Sequence, residues 1–203
     1  MNLELAILLA GAVLIVSART RYVLAAYVVL AAIASALIAP SALISPMTFA
    51  IFALTTTLKV IVAPLGMIFF LRGNPAAGQL RPSLTMPQRL ALAIAFAIVA
   101  AQVAHLPALA GIPMQRVVAF VILCGTGMLV VYRNLLAHLL GLLALGAGIT
   151  LAGAVLAPQL PESVELGATF DALVGTFIGL ALVRAFLAHN PLLDVDSLRR
   201  LRG

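Results

Sequence analysis

Tryptophan is absent from these 203 residues, cysteine occurs once, and only six residues are acidic. The lone Cys124 sits in an apolar run, so there is no disulfide framework and no spacing that could hold an iron–sulfur cluster. Charged residues are just as scarce, at 9% of the chain against 64% hydrophobic. A soluble domain of this size could not hide that much apolar surface, because folded surfaces exposed to water carry far more charge. The alternation with period two that marks barrel strands is missing as well. So are a glycine-rich phosphate loop, an HExxH pair and a credible nucleophile–base pair, which argues against a self-contained enzyme.

What the chain does have is a series of apolar runs, and a mean hydropathy of +1.22. Most runs have the length a helix needs to cross about 30 Å of hydrocarbon. A segment in lipid must satisfy its own backbone, and helices do this without any partner. The runs predict an all-α, polytopic transmembrane bundle of seven spans, at 3–18, 22–44, 48–71, 89–110, 114–132, 135–156 and 167–187. The first run carries Glu4 and lacks a basic leader, so it reads as a retained span and not a cleaved signal. The connection from Arg72 to Gln88 contains Gly73, Pro75, Gly78, Pro82 and Pro87, and reads as an ordered or semi-ordered loop.

The net charge of +6 could suggest nucleic acid, but its placement points to a bilayer instead. Arg19, Arg21, Arg72, Arg81, Arg89, Arg133, Arg184, Arg199, Arg200 and Arg202 fall on one side of a seven-span chain. Arg116 falls on the other, with Glu4, Glu162 and Glu165. Basic residues accumulate on the cytoplasmic side. The expected orientation is N-terminus outside and C-terminus inside, in the inner (cytoplasmic) membrane, with no nucleic-acid partner.

Lys59 is the first candidate for chemistry. It lies near the middle of the third span, too deep for its stem to reach an interface easily. An ammonium at that depth must find a partner, a water or a neutral state. Thr55 and Thr56 share its helical face, and Pro64 cannot donate to the carbonyl of Val60. Lys59 is either a proton-transfer group or half of a structural ion pair. Asp171, one turn inside the last predicted span, is the second candidate. Its rival reading is an interfacial acid favoured by the helix dipole. Gly175 and Gly179 form a small-xxx-small patch suited to close helix packing. Gln102 and His105 stand three residues apart near the outer end of the fourth span, and His105 could take a proton near neutral pH. His138 and His189 read as interfacial contacts, and Glu162 and Glu165 as parts of a solvated outer loop.

Three stretches together resemble the hydrogenase-4 component E family, membrane subunits of assemblies built like respiratory complex I. The first is Leu58-Lys59-Val60-Ile61-Val62-Ala63-Pro64-Leu65, and the second is Tyr132-Arg133-Asn134-Leu135-Leu136 followed by Gly141 and Gly148. The third runs from Pro161 to Ala172, and the tail from Leu193 to Gly203 is similar too. The second stretch also resembles complex I subunit K and the C subunit of Mrp-type antiporters. The apolar runs make one membrane domain over 1–203, with four spans in 1–110 and a cytoplasmic tail at 188–203. The resemblance covers roughly residues 50–203 and implies a three-helix subunit K-like part in 114–187. It implies a non-catalytic subunit supporting redox-coupled proton or ion translocation, without cofactors of its own, beside antiporter-like and other membrane subunits. The chain departs from the pattern where the family carries an intramembrane glutamate, near Leu143 or Gly146, since no ionisable residue lies between His138 and Glu162. Lys59, Asp171 and His105 remain as transfer candidates. The alternative function is a small stand-alone transporter or channel.

Overall fold

The computed structural model describes residues 3–42, 46–73, 78–103, 105–106, 114–156 and 162–189, without the side chains at 38, 40–42, 154, 156, 162–166, 168, 171–172 and 186–189. Apart from short connections these residues are helical, and the only extended pairings among them are two isolated bridges. In chain order the elements are α1 (Leu3–Val16), α2 (Thr20–Ala42), α3 (Pro46–Thr57), a π-helical turn (Leu58–Val62) and α4 (Ala63–Gly73). There follow α5 (Met86–Val103), α6 (Gln115–Val131), α7 (Leu135–Leu156) and α8 (Glu162–His189). The segment from α3 through α4 is one rod of 28 residues.

Four helices are long and apolar enough to cross a membrane, with their apolar windows at Thr20–Leu37, Pro46–Gly73, Met86–Val103 and Leu135–Gly153. Leu3–Val16, Gln115–Val131 and Leu173–Ala185 are apolar but shorter. Two boundaries differ from the hydropathy pattern. The run 89–110 predicts a longer helix than α5, which stops at Val103, so His105 lies past the helix end in a turn. Glu162 and Glu165 lie in the first turn of α8 and not in a loop, because an acidic N-terminus suits the helix dipole. Asp171 is therefore more than two turns inside α8.

The helices α1, α2, α5, α6 and α7 form a bundle centred on the antiparallel pair α6–α7, which a three-residue turn joins. Glycine sets how closely that pair approaches. A side chain at Gly125 would meet the backbone nitrogen of Leu145 at 2.7 Å, and one at Gly141 would meet the Gly125 carbonyl at 3.2 Å. Lipid supplies no hydrophobic drive between helices, so close contact of this kind is what holds them together. The rod α3–α4 and α8 pack against each other and against the α2–α7 side of the bundle. The rod is less covered than α2 and α7: 22% of the Pro46–Gly73 window is buried, against 50% for the windows on those two helices. Phe49, Leu54, Ile61, Phe69, Phe177 and Leu182 all point outward there, as lipid-facing residues should.

At one end of the bundle, residues 78–85 bind two turns together. The Leu80 amide donates to the Ala18 carbonyl at 2.8 Å, the Ser83 amide to Val131 at 2.7 Å, and the Arg133 amide to Arg81 at 3.1 Å. The loop expected between Arg72 and Gln88 is thus ordered by backbone pairing over its described part.

Candidate functional site

Lys59 is the only lysine in the chain and sits at the midpoint of the 28-residue rod, about 20 Å from either end at 1.5 Å per residue. Its side chain, only partly exposed, crosses to α7, where the ammonium donates to the Thr150 hydroxyl at 3.2 Å. Beside it, Thr55 is fully buried and its hydroxyl returns to the Phe52 carbonyl at 3.0 Å.

The backbone at Lys59 is as unusual as the side chain. Pro64 has no N–H, so an α-helical ladder would leave the carbonyl of Val60 unpaired. The π turn moves that vacancy by one residue. The Ala63 amide reaches back five residues to the Leu58 carbonyl. In the same register Pro64 should serve Lys59, and it cannot. The Lys59 carbonyl instead accepts a hydrogen bond from the Tyr27 hydroxyl on α2, at 3.2 Å. A neighbouring helix thus satisfies a backbone group that lipid would leave bare. Lys59 is held at both ends, its carbonyl by α2 and its ammonium by α7. Turns of π helix inside α-helices recur at functional sites.

Chemically, the arrangement joins a cation to a hydroxyl that can both donate and accept. Thr150 accepts from the ammonium, so a titratable cation and a hydroxyl meet across the contact between the rod and α7.

The other candidates do not gather around Lys59 in the described residues. The side chain of Asp171 lies outside them. His105 is exposed, and its amide closes a turn onto the Gln102 carbonyl at 3.0 Å. Gly179 faces α7, where a side chain would meet Leu139 Cδ2, whereas a side chain at Gly175 would meet none of the described residues within 4 Å. The Nδ1–H of His138 donates to the Asn134 carbonyl at 2.9 Å within its own helix end, and His189 lies outside the described side chains.

A second polar site, at the ordered end, has no counterpart among the sequence candidates. Arg89 was expected to mark a loop boundary, yet it is 6% exposed. Its Nη1 donates to the Val16 carbonyl and, at 3.5 Å, to the Tyr132 hydroxyl. That hydroxyl also lies 2.7 Å from the Ile15 carbonyl and 2.8 Å from the Ser17 carbonyl. Together they cap the C-terminus of α1, where the helix dipole favours a cation. Asn134 completes the joint, its Oδ1 accepting from the Leu136 amide at 2.9 Å and capping α7. These residues tie α1, α5, α6 and α7 together and do no evident chemistry. The paired signal in the sequence was an arginine and a tyrosine flanking apolar runs, which also fits ordinary interfacial anchors.

Comparison with protein-family models, with curated proteins and with solved structures finds no match to this chain. The site is read from its own residues.

Proposed function

We propose that the chain is a non-catalytic membrane subunit of a complex I-like assembly of the hydrogenase-bearing type, and that it supports redox-coupled proton or ion translocation. In this reading α1, α2, the rod α3–α4, α5, α6, α7 and α8 are seven spans of a multi-pass protein of the inner membrane. The N-terminus is outside and the C-terminus cytoplasmic. Redox cofactors belong to partner subunits, and antiporter-like chains lie beside this one.

The observation that carries the reading is Lys59. Ionisable groups at mid-membrane depth are costly and mark transfer paths by default. Here the cost falls at a π turn whose carbonyl and ammonium are each held by a different helix. The arginine distribution supports the orientation: Arg19, Arg81, Arg89 and Arg133 meet at the ordered end, and Glu4 pairs with Arg116 where α1 and α6 begin.

Purification in mild detergent tests the partner half of the proposal. A subunit brings antiporter-like chains with it, and recovery alone or as a homo-oligomer would point to a stand-alone transporter. Lys59→Met tests the transfer half. With the complex still assembled, redox-driven proton uptake into liposomes should fall to background. Lys59→Arg should rescue poorly, because a guanidinium does not release its proton. Normal uptake by an intact Lys59→Met complex would falsify the transfer role.

A further inference from the structure

Away from Lys59, at the end where α1 and α6 begin, α1 and α5 enclose a cleft of about 350 Å³. That volume is at the small end of the range for ligand-sized clefts. Its walls are apolar and shallow, formed by Leu5 and Leu8 of α1 and by Ala97, Ala100 and Ala101 of α5. At its mouth stands the ion pair of Glu4 and Arg116, with 36% and 57% of the side chains exposed. Ala97 and Ala101 are exposed, and α5 is the least covered of the four long helices. A groove of methyl groups is thus open along the side of an apolar helix, and it ends at one acid and one base in contact.

We propose that this cleft holds one phospholipid with a zwitterionic, amine-bearing headgroup. Its acyl chain lies along Ala97 and Ala101, its phosphate on Arg116 and its ammonium on Glu4. The charges select the occupant. A phosphate alone would compete with Glu4 for Arg116 and leave a carboxylate unpaired near lipid. A headgroup carrying both signs answers both side chains at once. A primary ammonium also donates hydrogen bonds to a carboxylate, which a quaternary choline cannot. The proposal is independent of the role assigned to Lys59.

The test uses the purified full chain in detergent, with phosphatidylethanolamine, phosphatidylcholine and phosphatidylglycerol added in equal amounts and bound lipid read by native mass spectrometry. One phosphatidylethanolamine should be retained, about tenfold better than phosphatidylcholine, the size of effect one charge-assisted hydrogen bond gives. Glu4→Gln should erase that preference. Ala101→Phe should fill the groove and remove the bound lipid while helical content stays unchanged. Ala97→Phe is the second such variant, since either position is open enough to take a ring without disturbing the core. Equal retention of the three lipids, preference for the anionic one, or undiminished binding in both phenylalanine variants would each overturn the proposal. So would a photocrosslinker at Ala101 that captures a polypeptide in place of lipid.

Discussion

The bundle around α6–α7 and the rod α3–α4 solve the same problem in opposite ways. Both must hold helices together in a solvent as apolar as their side chains. The bundle does it by contact: Gly125 and Gly141 let two backbones approach until a methyl group no longer fits. The rod does it with polar groups, through Tyr27 and Thr150 reaching the two ends of Lys59. Contact by glycine is dense, specific and chemically inert. Polar contact is sparser, leaves more of the helix exposed, and puts a cation where its proton can matter. The closest helix contact is therefore one without a charge, and the cation lies on a helix less covered than α2 and α7.

The largest effect should come from breaking the dense half. Gly125→Leu drives a side chain into the Leu145 backbone, and backbone cannot move aside as a flexible side chain can. The loss should be about 3 kcal/mol or more, the upper range for overpacking, with little folded chain recovered after size exclusion in detergent. Gly175→Leu is the control, because among the described residues nothing lies within 4 Å of where a side chain there would begin. It should leave the isolated chain as stable as the parent and act only on assembly with partners. Equal damage from both substitutions would remove the distinction between a glycine that packs this chain and one that faces outward.

Next in size is the joint at the ordered end. Tyr132→Phe keeps the ring and removes the hydroxyl that serves Ile15 and Ser17 and receives Arg89. Buried acceptors left without a donor cost about 1–3 kcal/mol, so the thermal midpoint in detergent should drop by several degrees. A midpoint equal to the parent's would mean that water replaces the hydroxyl and that the joint is looser than its burial suggests.

Much of the all-helical fold was legible because a helix in lipid announces itself by length and hydropathy. The stretches 135–156 and 48–71 nearly coincide with α7 and with the rod. Connections were harder. Arg89 reads as a loop marker in sequence, since only the folded chain shows the C-terminus of α1 arriving beside it. Lys59 could be singled out by depth alone, but its partners could not. Tyr27 and Thr150 are 32 and 91 residues away in sequence, and neither stands out in its own run. The π turn was half legible: Pro64 foretold a missing backbone bond, but placed the vacancy at Val60 and not at Lys59. Which register a helix adopts around a proline depends on which carbonyl a neighbour can serve, and that is tertiary information.

Tyr27→Phe sharpens the polar half of the comparison. It removes the donor to the Lys59 carbonyl without touching the ammonium. About 1 kcal/mol of stability should be lost, the low end of the cost of leaving a partly buried acceptor without its donor. The informative readout is proton uptake measured beside complex content. If the Tyr27 bond holds the backbone alone, uptake should fall less than in Lys59→Met, because the ammonium still reaches Thr150 by rotation about its long stem. Loss as complete as in Lys59→Met would show that the backbone bond sets the position of the ammonium.

The smallest effect on stability should come from the pair at the opposite end. Glu4 and Arg116 join the starts of α1 and α6, and both are open to their surroundings. An exposed pair gains little, since the charges are screened and two long side chains must be held still. Glu4→Gln should therefore cost less than about 1 kcal/mol in detergent solution. Salt provides the check. At 1 M ionic strength the screening length is about 3 Å, short enough to cancel what attraction an exposed pair retains. The parent should then melt with the Glu4→Gln variant, the small gap at low salt having closed. Tyr132→Phe should keep its deficit over the same range, because no exposed charge is lost there. If the Glu4→Gln gap instead persists in high salt, the pair is drier than its exposure indicates, and the start of α1 belongs with the tightly held bundle.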